Sequence, residues 1–336
     1  MTRRRFIASA SASAAAGLTL SLPVAVAEGS TTFPDRTIII QVPYAAGGGS
    51  DTITRLVARK MSENISLPVV IENRAGGGGS IASLAVKVAR PDGYTILMGH
   101  TGTHVFNPVM FPKDMRYDPI NDFSFITPMV RFDTALVVPY DHPAKSVKDL
   151  IELSRTKPGG LTFGSSGVGD TAHLIGEMFK ARARIATVHV PYRGLAPALT
   201  DLIAGRLDFI FSSYLSAGPY LESNNLRAIA WAGEARSPKL PDVPTMAEAG
   251  TPGVGIETWF GFMAPKETPP EIIDKLNAEF VRAINSEGVK TFVEARAASI
   301  FPLTPAVFAA RVASDITRVR QIVQEAKIDT TTSVAP

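Results

Sequence analysis

The sequence predicts an α/β protein built on parallel strands and divided into two domains. After residue 35, short apolar runs alternate with segments of helical periodicity almost throughout, the pattern typical of parallel βαβ units. Several strand-to-helix junctions are rich in glycine, which lets a ligand approach the backbone. The chain has 336 residues, more than one hydrophobic core usually holds, and this length favours two domains.

Eight segments have the β-branched, apolar character of strands. The first of them contains three consecutive isoleucines. The predicted strands are 37–42, 68–72, 94–98, 135–139, 161–164, 187–191, 207–211 and 227–231.

Helical periodicity follows several of these strands. Ile53, Val57 and Met61 share one face of a helix after the first strand. Comparable faces follow the second strand, the fifth strand and Pro197, where proline suits a helix start. The segment 269–327 predicts two or three further helices.

Residues 1–27 have the features of an export signal. Three arginines at positions 3–5 precede an uncharged run of small and apolar residues, which ends in the triplet Ala25-Val26-Ala27. This predicts cleavage before Glu28 and a periplasmic protein of a Gram-negative bacterium. The arginines fit the twin-arginine pattern, although a general secretory signal can also begin with arginines. A membrane anchor is disfavoured because the apolar part is shorter than the ~20 residues of a span.

Charge and composition exclude several classes of function. Without the three leader arginines, 31 basic residues balance 31 acidic ones, so no basic surface indicates nucleic-acid binding. The chain has no cysteine, which excludes disulfides, thiol nucleophiles and cysteine-ligated metals. We therefore expect a soluble mature protein without a cofactor or metal.

The domain boundaries are predicted from the absence of a flexible linker. Two domains without a linker indicate that the chain crosses between them inside ordered structure, near Arg131–Thr134 and near Gly253–Trp259. The prediction is one domain formed by 28–131 plus 254–336 and a second formed by 132–253.

Four junctions rich in Gly, Ser and Thr are candidate anion sites. A strand-to-helix junction presents free N–H groups at a helix N-terminus, where the helix dipole is positive. In α/β sheets ligands bind at the carboxyl ends of strands, where these junctions lie. The alternative is a purely structural role, in which each junction is a tight turn with a helix cap. The junctions span 45–51, 75–80, 99–104 and 164–171.

Dinucleotide binding and catalysis find less support. Gly77-x-Gly79 and Gly167-x-Gly169 match a loose nucleotide pattern, but no strand with a terminal acid follows at the required distance. No G-x-S-x-G or P-loop motif occurs, and His100 and His104 lack a nearby acid for a metal. We therefore predict no catalytic residue.

Six stretches, taken together and in order, resemble the Bug family, the periplasmic binding proteins of tripartite tricarboxylate transporters. The similarity extends over about residues 35–325, and the motifs are specific as a set but not singly. They are VPYAAGGGSDTITRLVA, VVIENRAGGGGSIA, DGYTILMG, FGSSGVGDTAHLIGEMF, VPYRGLAPALTDLIAGRLDFIF and TWFGFMAPKETPPEIIDKLN.

The resemblance implies a two-lobed periplasmic-binding-protein fold, type II-like, with a ligand cleft between two α/β domains and no catalysis. It implies a monomer that binds a small organic acid and delivers it to a large and a small membrane subunit. An exported hydrolase acting on a carboxylated small molecule and a ligand sensor feeding a signalling partner remain alternatives.

Ligand-binding residues follow from the family pattern and from the four junctions. Family members grip one carboxylate through backbone groups of the first two glycine loops, with the other lobe opposite. The predicted ligand-binding residues are Tyr44, Ala45, Ala46, Gly49, Ser50, Asp51, Gly77, Gly78, Thr101, Thr103, His104, Ser165, Ser166, Gly169, Asp170, Thr171, Tyr192, Gly194 and Ser212.

This chain departs from the family pattern at three positions. The family often has proline where Ala46 and Ala75 stand, which predicts less rigid loops here. It commonly has Ser or Thr where Asp170 stands, and this puts a purely anion-binding second lobe in doubt. One hypothesis is that Asp170 selects a ligand with an amino or hydroxyl group distal to its carboxylate.

Overall fold

The computed structural model describes residues 33–325. The predicted export signal, residues 1–27, lies outside the described residues, as does the C-terminal end of domain 1. Within 33–325 no helix is long and apolar enough to cross a membrane.

Residues 33–325 form eleven strands and ten α-helices, with a 3₁₀ turn at Gly77–Gly79 and a π turn at Gly102–Phe106. In chain order the elements are β1 Ile38–Val42, α1 Gly49–Ile65, β2 Val69–Asn73, α2 Ser80–Lys87, β3 Thr95–His100, α3 Asn107–Met110, β4 Phe123–Phe132, β5 Thr134–Pro139, α4 Val147–Thr156, β6 Leu161–Ser165, α5 Thr171–Ala183, β7 Thr187–Pro191, α6 Leu195–Ile203, β8 Phe209–Ser213, α7 Tyr214–Glu222, β9 Leu226–Trp231, β10 Thr258–Pro265, α8 Pro270–Ile284, α9 Glu287–Glu294, β11 Ala298–Ile300 and α10 Pro305–Glu325.

The strands form two sheets with related topology. The first has the order β11-β4-β10-β3-β1-β2 and the second the order β7-β6-β8-β5-β9. In each sheet the first strand of a parallel trio, β1 or β6, lies between the other two. We call the part built on the six-stranded sheet the first lobe and the part built on the five-stranded sheet the second lobe.

Both sheets contain parallel strands, as predicted, and each also has antiparallel pairs on one side. β10 runs antiparallel to both β3 and β4, and β5 runs antiparallel to both β8 and β9. β5 and β10 are the first strands after the chain passes from one sheet to the other, so they enter each sheet against the direction of its parallel trio. The two sheets are therefore mixed.

Between residues 33 and 325, the chain passes from one lobe to the other at two places. β4 ends at Phe132 and β5 begins at Thr134, so the first crossover is the single residue Asp133. The return lies between Trp231 and Thr258, the first residue of β10. The precise limits 28–131 plus 254–336 and 132–253 remain a prediction.

Each lobe packs its helices on its sheet by burying the predicted apolar faces. Ile53, Val57 and Met61 of α1 lie in the core of the first lobe with the isoleucines of β1. Leu215 of α7 in the second lobe belongs to this same core cluster. The lobes therefore share apolar contacts at their junction as well as polar ones.

Candidate functional site

A cavity of about 40 Å³ lies between the lobes, and we call it the cleft. At ~10–15 Å³ for each water molecule, it has room for about three. Its lining residues come from both lobes: Tyr44, Ala45, Gly48, Gly49, Ser50, His100, Phe132, Thr258 and Phe260 from the first, and Thr134, Ser166, Asp170, Thr171, Ala172, Leu195, Phe211, Ser213 and Ser216 from the second.

Two long helices, one from each lobe, begin at the cleft. α1 follows the middle strand of the first lobe's parallel trio, and α5 follows the middle strand of the second lobe's trio. Both helices therefore direct their N-terminal N–H groups and the positive end of their dipoles at one space. Within residues 33–325 no lysine or arginine lines the cleft. An anion bound here would be held by neutral donors.

The two helix ends differ in how they are capped. Asp170 caps α5, and its carboxylate accepts a hydrogen bond from the backbone N–H of His173 at 2.8 Å. The cap residue of α1 is Gly48, which has no side chain to accept such a bond. The N–H of Gly49 donates to the Ser216 hydroxyl at 3.0 Å, and that of Ser50 has no partner within the described residues. The first lobe therefore has the open helix end.

A tyrosine and a histidine form a buried pair beside this open end. The backbone N–H of Gly102 donates to His100 Nδ1 at 2.9 Å, so the proton of the neutral imidazole is on Nε2. His100 Nε2 lies 2.7 Å from the Tyr44 hydroxyl and donates to it. The hydroxyl proton of Tyr44 is then available to another acceptor in the cleft.

Burial fixes the protonation state of both partners. Desolvation, with a smaller effect of His104, lowers the pKa of His100 to about 3, so the imidazole stays neutral at physiological pH. Desolvation and the neighbouring Asp170 raise the pKa of Tyr44 well above its usual range. Tyr44 is therefore a permanent hydrogen-bond donor at the cleft.

Asp170 is held by its own loop and helix. One carboxylate oxygen accepts from the backbone N–H of Ser166 at 2.9 Å and from the Ser166 hydroxyl. The other accepts from the N–H of His173. Burial raises the pKa of Asp170, although these hydrogen bonds act in the opposite direction. The structure thus supports the capping interpretation of Asp170, and the Ser166 proton is already engaged.

A second group of cleft residues lies where the chain crosses between the lobes. Thr134 is 3% exposed, and its hydroxyl has no hydrogen-bond partner within the described residues. Beside it lie the rings of Phe132 and Phe260, which pack edge to face with centroids 4.8 Å apart. This part of the cleft is apolar apart from an unpaired hydroxyl.

The second glycine-rich junction lies against the second lobe. Gly76, Gly77, Gly78 and Gly79 all have positive φ, between 55° and 134°, which side chains rarely adopt. A Cβ on Gly78 would lie 2.0 Å from the carbonyl oxygen of Val168 in the second lobe. None of the four lines the cleft. These glycines let the lobes approach each other, and the role of Gly77 and Gly78 in ligand binding stays a prediction.

Other contacts between the lobes also depend on small residues. A Cβ on Gly49 would lie 2.7 Å from the Ser216 hydroxyl and 2.8 Å from Leu215 Cβ. The backbone N–H of Ala45 donates to the carbonyl of Arg193 at 2.9 Å. The structure is therefore a closed arrangement in which backbone meets backbone across the cleft.

Seven predicted residues line the cleft, and the structure places the other twelve elsewhere. Their role in ligand binding is still a prediction. The seven are Tyr44, Ala45, Gly49, Ser50, Ser166, Asp170 and Thr171, and the twelve are Ala46, Asp51, Gly77, Gly78, Thr101, Thr103, His104, Ser165, Gly169, Tyr192, Gly194 and Ser212.

Three of these twelve residues, all in the first lobe, have partners within the protein. Asp51 accepts from Arg55, Gly47 and Asn73, and these bonds lower its pKa against the opposing effect of burial. The Thr101 hydroxyl pairs with the backbone of Trp259. His104 is fully buried against Phe123, and burial lowers its pKa to about 3.

Those in the second lobe are similarly engaged. The Tyr192 hydroxyl donates to Asp201 at 2.7 Å. The Ser212 hydroxyl is buried and donates to the backbone of Ser213. Ser165 lies 2.6 Å from His189 Nε2, but it is fully buried and also donates to the carbonyl of Gly167. This serine–histidine contact is part of the protein interior.

The predicted ligand-binding residues omit several cleft residues: Thr134, Phe132 and Phe260, and also His100, which lies in the candidate junction 99–104. The first three lie on the strands that enter or leave the crossovers. A chain segment that joins two lobes must border the space between them, so the predicted crossovers at 131–134 and 253–259 contained the signal.

The crossovers have a second face. Phe132, Thr134 and Thr258 line the cleft, whereas the intervening Asp133 and Glu257 line a groove of about 1060 Å³ on the other side. This alternation is that of extended chain. Burial, with Glu257 and Glu234 nearby, raises the pKa of Asp133 to about 6.

Two α/β lobes, joined by two crossovers and enclosing a cavity at helix N-termini, define a two-lobed periplasmic-binding-protein fold. A model of the tripartite tricarboxylate transporter family receptor matches residues 53–328. The chain belongs to this family.

Individual relatives agree with this assignment. A UPF0065 protein from the tcbD-tcbE intergenic region of Pseudomonas sp. strain P51 is 41% identical over 258 residues, 76% of each chain. Protein BugT of Bordetella pertussis is 32% identical over 90% of this chain and 93% of its own.

Solved structures of similar proteins superpose closely. MatC from Rhodopseudomonas palustris with bound malate has a TM-score of 0.83 and 32% identity, covering 87% of this chain and all of its own. R. palustris Rpa4515 with adipate has a TM-score of 0.84 and 34% identity, covering 88% of this chain and 99% of its own.

Proposed function

We propose that this chain is a periplasmic solute-binding protein that captures a small organic carboxylate between its lobes. It delivers the acid, as a monomer, to the large and small membrane subunits of a tripartite transporter. The leader at 1–27 exports it, and the lobes correspond to 28–131 plus 254–336 and to 132–253. No catalytic step follows binding.

One observation carries the proposal: a cleft between lobes with an open helix end and the Tyr44 hydroxyl, and with no cationic side chain from residues 33–325. Neutral donors in a site that excludes water can hold a carboxylate without burying an opposing charge. The malate and adipate bound by the two similar proteins are both carboxylates. Closure on the acid gives a membrane partner a distinct surface to bind.

The test is a thermal-shift screen of carboxylic acids on the protein without residues 1–27, with matched amides and sugars as controls. An acid at 100 times its dissociation constant stabilises the protein by ~2.7 kcal/mol. Mass spectrometry after unfolding detects an acid that copurified and would mask the shift. Transport fails as an explanation if neither measurement finds a carboxylic acid.

A second measurement separates binding from catalysis. The bound acid should be recovered unchanged after long incubation with the protein. Conversion that is lost on changing His100 or His173 would instead support an exported hydrolase.

A further inference from the structure

The two helix N-termini at the cleft have equivalent positions in the fold but different cap residues. α1 and α5 both follow the middle strand of a parallel trio, so a ligand between them faces two corresponding helix ends. Asp170 already places a carboxylate at the start of α5. Gly48 leaves the start of α1 open. The cleft therefore has one free position for an anion, in the first lobe.

The Tyr44 hydroxyl lies beside this position, with His100 and the Ser166 hydroxyl as its polar neighbours. His100 donates to the tyrosine oxygen, and the Gly102 N–H fixes the tautomer that makes this possible. A hydroxyl that receives a hydrogen bond from a neutral partner and donates to a carboxylate is a charge-assisted donor. Tyr44 and α1 thus supply complementary donors for a single carboxylate.

The rest of the cleft, as described by residues 33–325, offers a second carboxylate neither a cationic side chain nor a second uncapped helix end. Phe132, Phe211 and Phe260 contribute aromatic rings, and within residues 33–325 no cationic side chain lines the cavity. The Ser166 hydroxyl donates to Asp170 and cannot also donate to a ligand. An ionised carboxylate taken from water without a partner carries a large desolvation penalty.

The Thr134 hydroxyl is one of several hydroxyls that line the cleft, together with those of Ser50, Thr171, Ser213, Ser216 and Thr258. It is 3% exposed, lines the cleft and has no partner within the described residues. Buried hydroxyls are normally hydrogen-bonded, so an oxygen atom of the ligand is the natural partner.

From these four observations we infer that the cleft selects a compact acid with one carboxylate and an uncharged body. The carboxylate lies at the start of α1 against Tyr44, and Thr134 contacts a ligand oxygen. This inference rests on the proposed function, but it separates this chain from MatC and Rpa4515, whose bound malate and adipate are dicarboxylates. The cavity of about 40 Å³ favours a short body.

Matched pairs of acids test the inference by calorimetry at pH 7.5. The pairs are propionate and malonate, butyrate and succinate, and hexanoate and adipate, each differing by one terminal carboxylate. In each pair that binds, the monocarboxylate should bind at least about tenfold more tightly than the dicarboxylate. Equal or tighter binding of the dicarboxylates would overturn the inference and leave the proposed function intact. Absence of binding by every carboxylic acid would overturn both.

Two substitutions test the residues with the best-binding monocarboxylate. Tyr44→Phe should weaken binding about 10- to 100-fold, because it removes a hydrogen bond to a charged group. Thr134→Val should weaken it about tenfold while keeping the side-chain shape. Tyr94→Phe is the control, since its hydroxyl bonds to Asp35 outside the cleft.

Affinities unchanged by both cleft substitutions would refute the assigned positions. Circular dichroism establishes that each variant is folded. If a variant does not fold, the comparison of acid pairs on the unsubstituted protein still decides the ligand class.

Discussion

Replacing Gly49 by alanine should impair closure of the lobes without damaging either lobe. Gly49 is the first residue of α1, and its φ is not positive, so alanine fits its backbone. The added Cβ would lie 2.7 Å from the Ser216 hydroxyl and 2.8 Å from Leu215 Cβ, where 3.4–4 Å is ordinary contact. Ser216 and Leu215 belong to the second lobe, so the clash exists only when the lobes are together.

The size of the effect follows from these distances. The lobes must separate locally by roughly half an ångström or more, and overpacking of this kind costs about 1–3 kcal/mol. The substitution destabilises the closed state, which is the state that binds the ligand. The dissociation constant of the ligand therefore rises by about 5- to 150-fold. The open protein does not contain this clash, so the free energy of unfolding measured without ligand should not fall.

Calorimetry and small-angle scattering check this together. Gly288→Ala is the matched control, because Gly288 also lies in the first turn of a helix, α9, and its Cβ would meet nothing within 4 Å. Weaker binding with a larger radius of gyration at equal ligand concentration is expected for Gly49→Ala alone. The reasoning is refuted if Gly49→Ala binds as tightly as the control.

Three further predictions concern stability, measured by urea unfolding. Asp133→Asn should stabilise the protein at pH 7 by about 1–3 kcal/mol and not at pH 4, because the raised pKa of Asp133, about 6, penalises its charged form above that pH; equal effects at both pH values would contradict this. The pKa values of His100, His104, His173 and His189 are lowered by burial to about 3 or 4, so the unfolded chain takes up protons first and stability should fall from pH 6.5 downward, by up to ~1.4 kcal/mol per pH unit for each histidine; a flat profile between pH 6.5 and 5 would oppose it. Asp170→Ala should lower the free energy of unfolding by about 1–2 kcal/mol through loss of the helix cap, and Asp170→Asn should lower it less. In a binding assay, an unchanged ligand preference of Asp170→Asn would end the hypothesis that Asp170 selects a distal amino or hydroxyl group.

Local patterns predicted the parallel parts of both sheets. The isoleucines of β1 and the apolar face of α1 interact with near neighbours in sequence, so periodicity and propensity suffice there. β4 and β10 were missed. They pair with each other across more than a hundred residues, Pro128 interrupts β4, and every residue of β10 is buried, so neither strand shows alternation.

The candidate site was predicted to a similar extent. The loop before α1 and the cap of α5 were recognised because glycine, serine and aspartate at a strand end have a local meaning. The contribution of Thr134 depends on two distant segments meeting at the crossover. The Gly76–Gly79 run indicates from sequence that the backbone comes close to another group, but not which group. In the structure, Gly78 lies against Val168 of the other lobe.

The alternation of residues along the crossovers has a mechanical consequence. Phe132 and Thr134 face the cleft, and Asp133 between them faces the large groove behind it. We therefore expect rotation of one lobe about this strand to widen one space as it narrows the other. A reporter group attached in the groove would then follow the state of the cleft without touching the ligand.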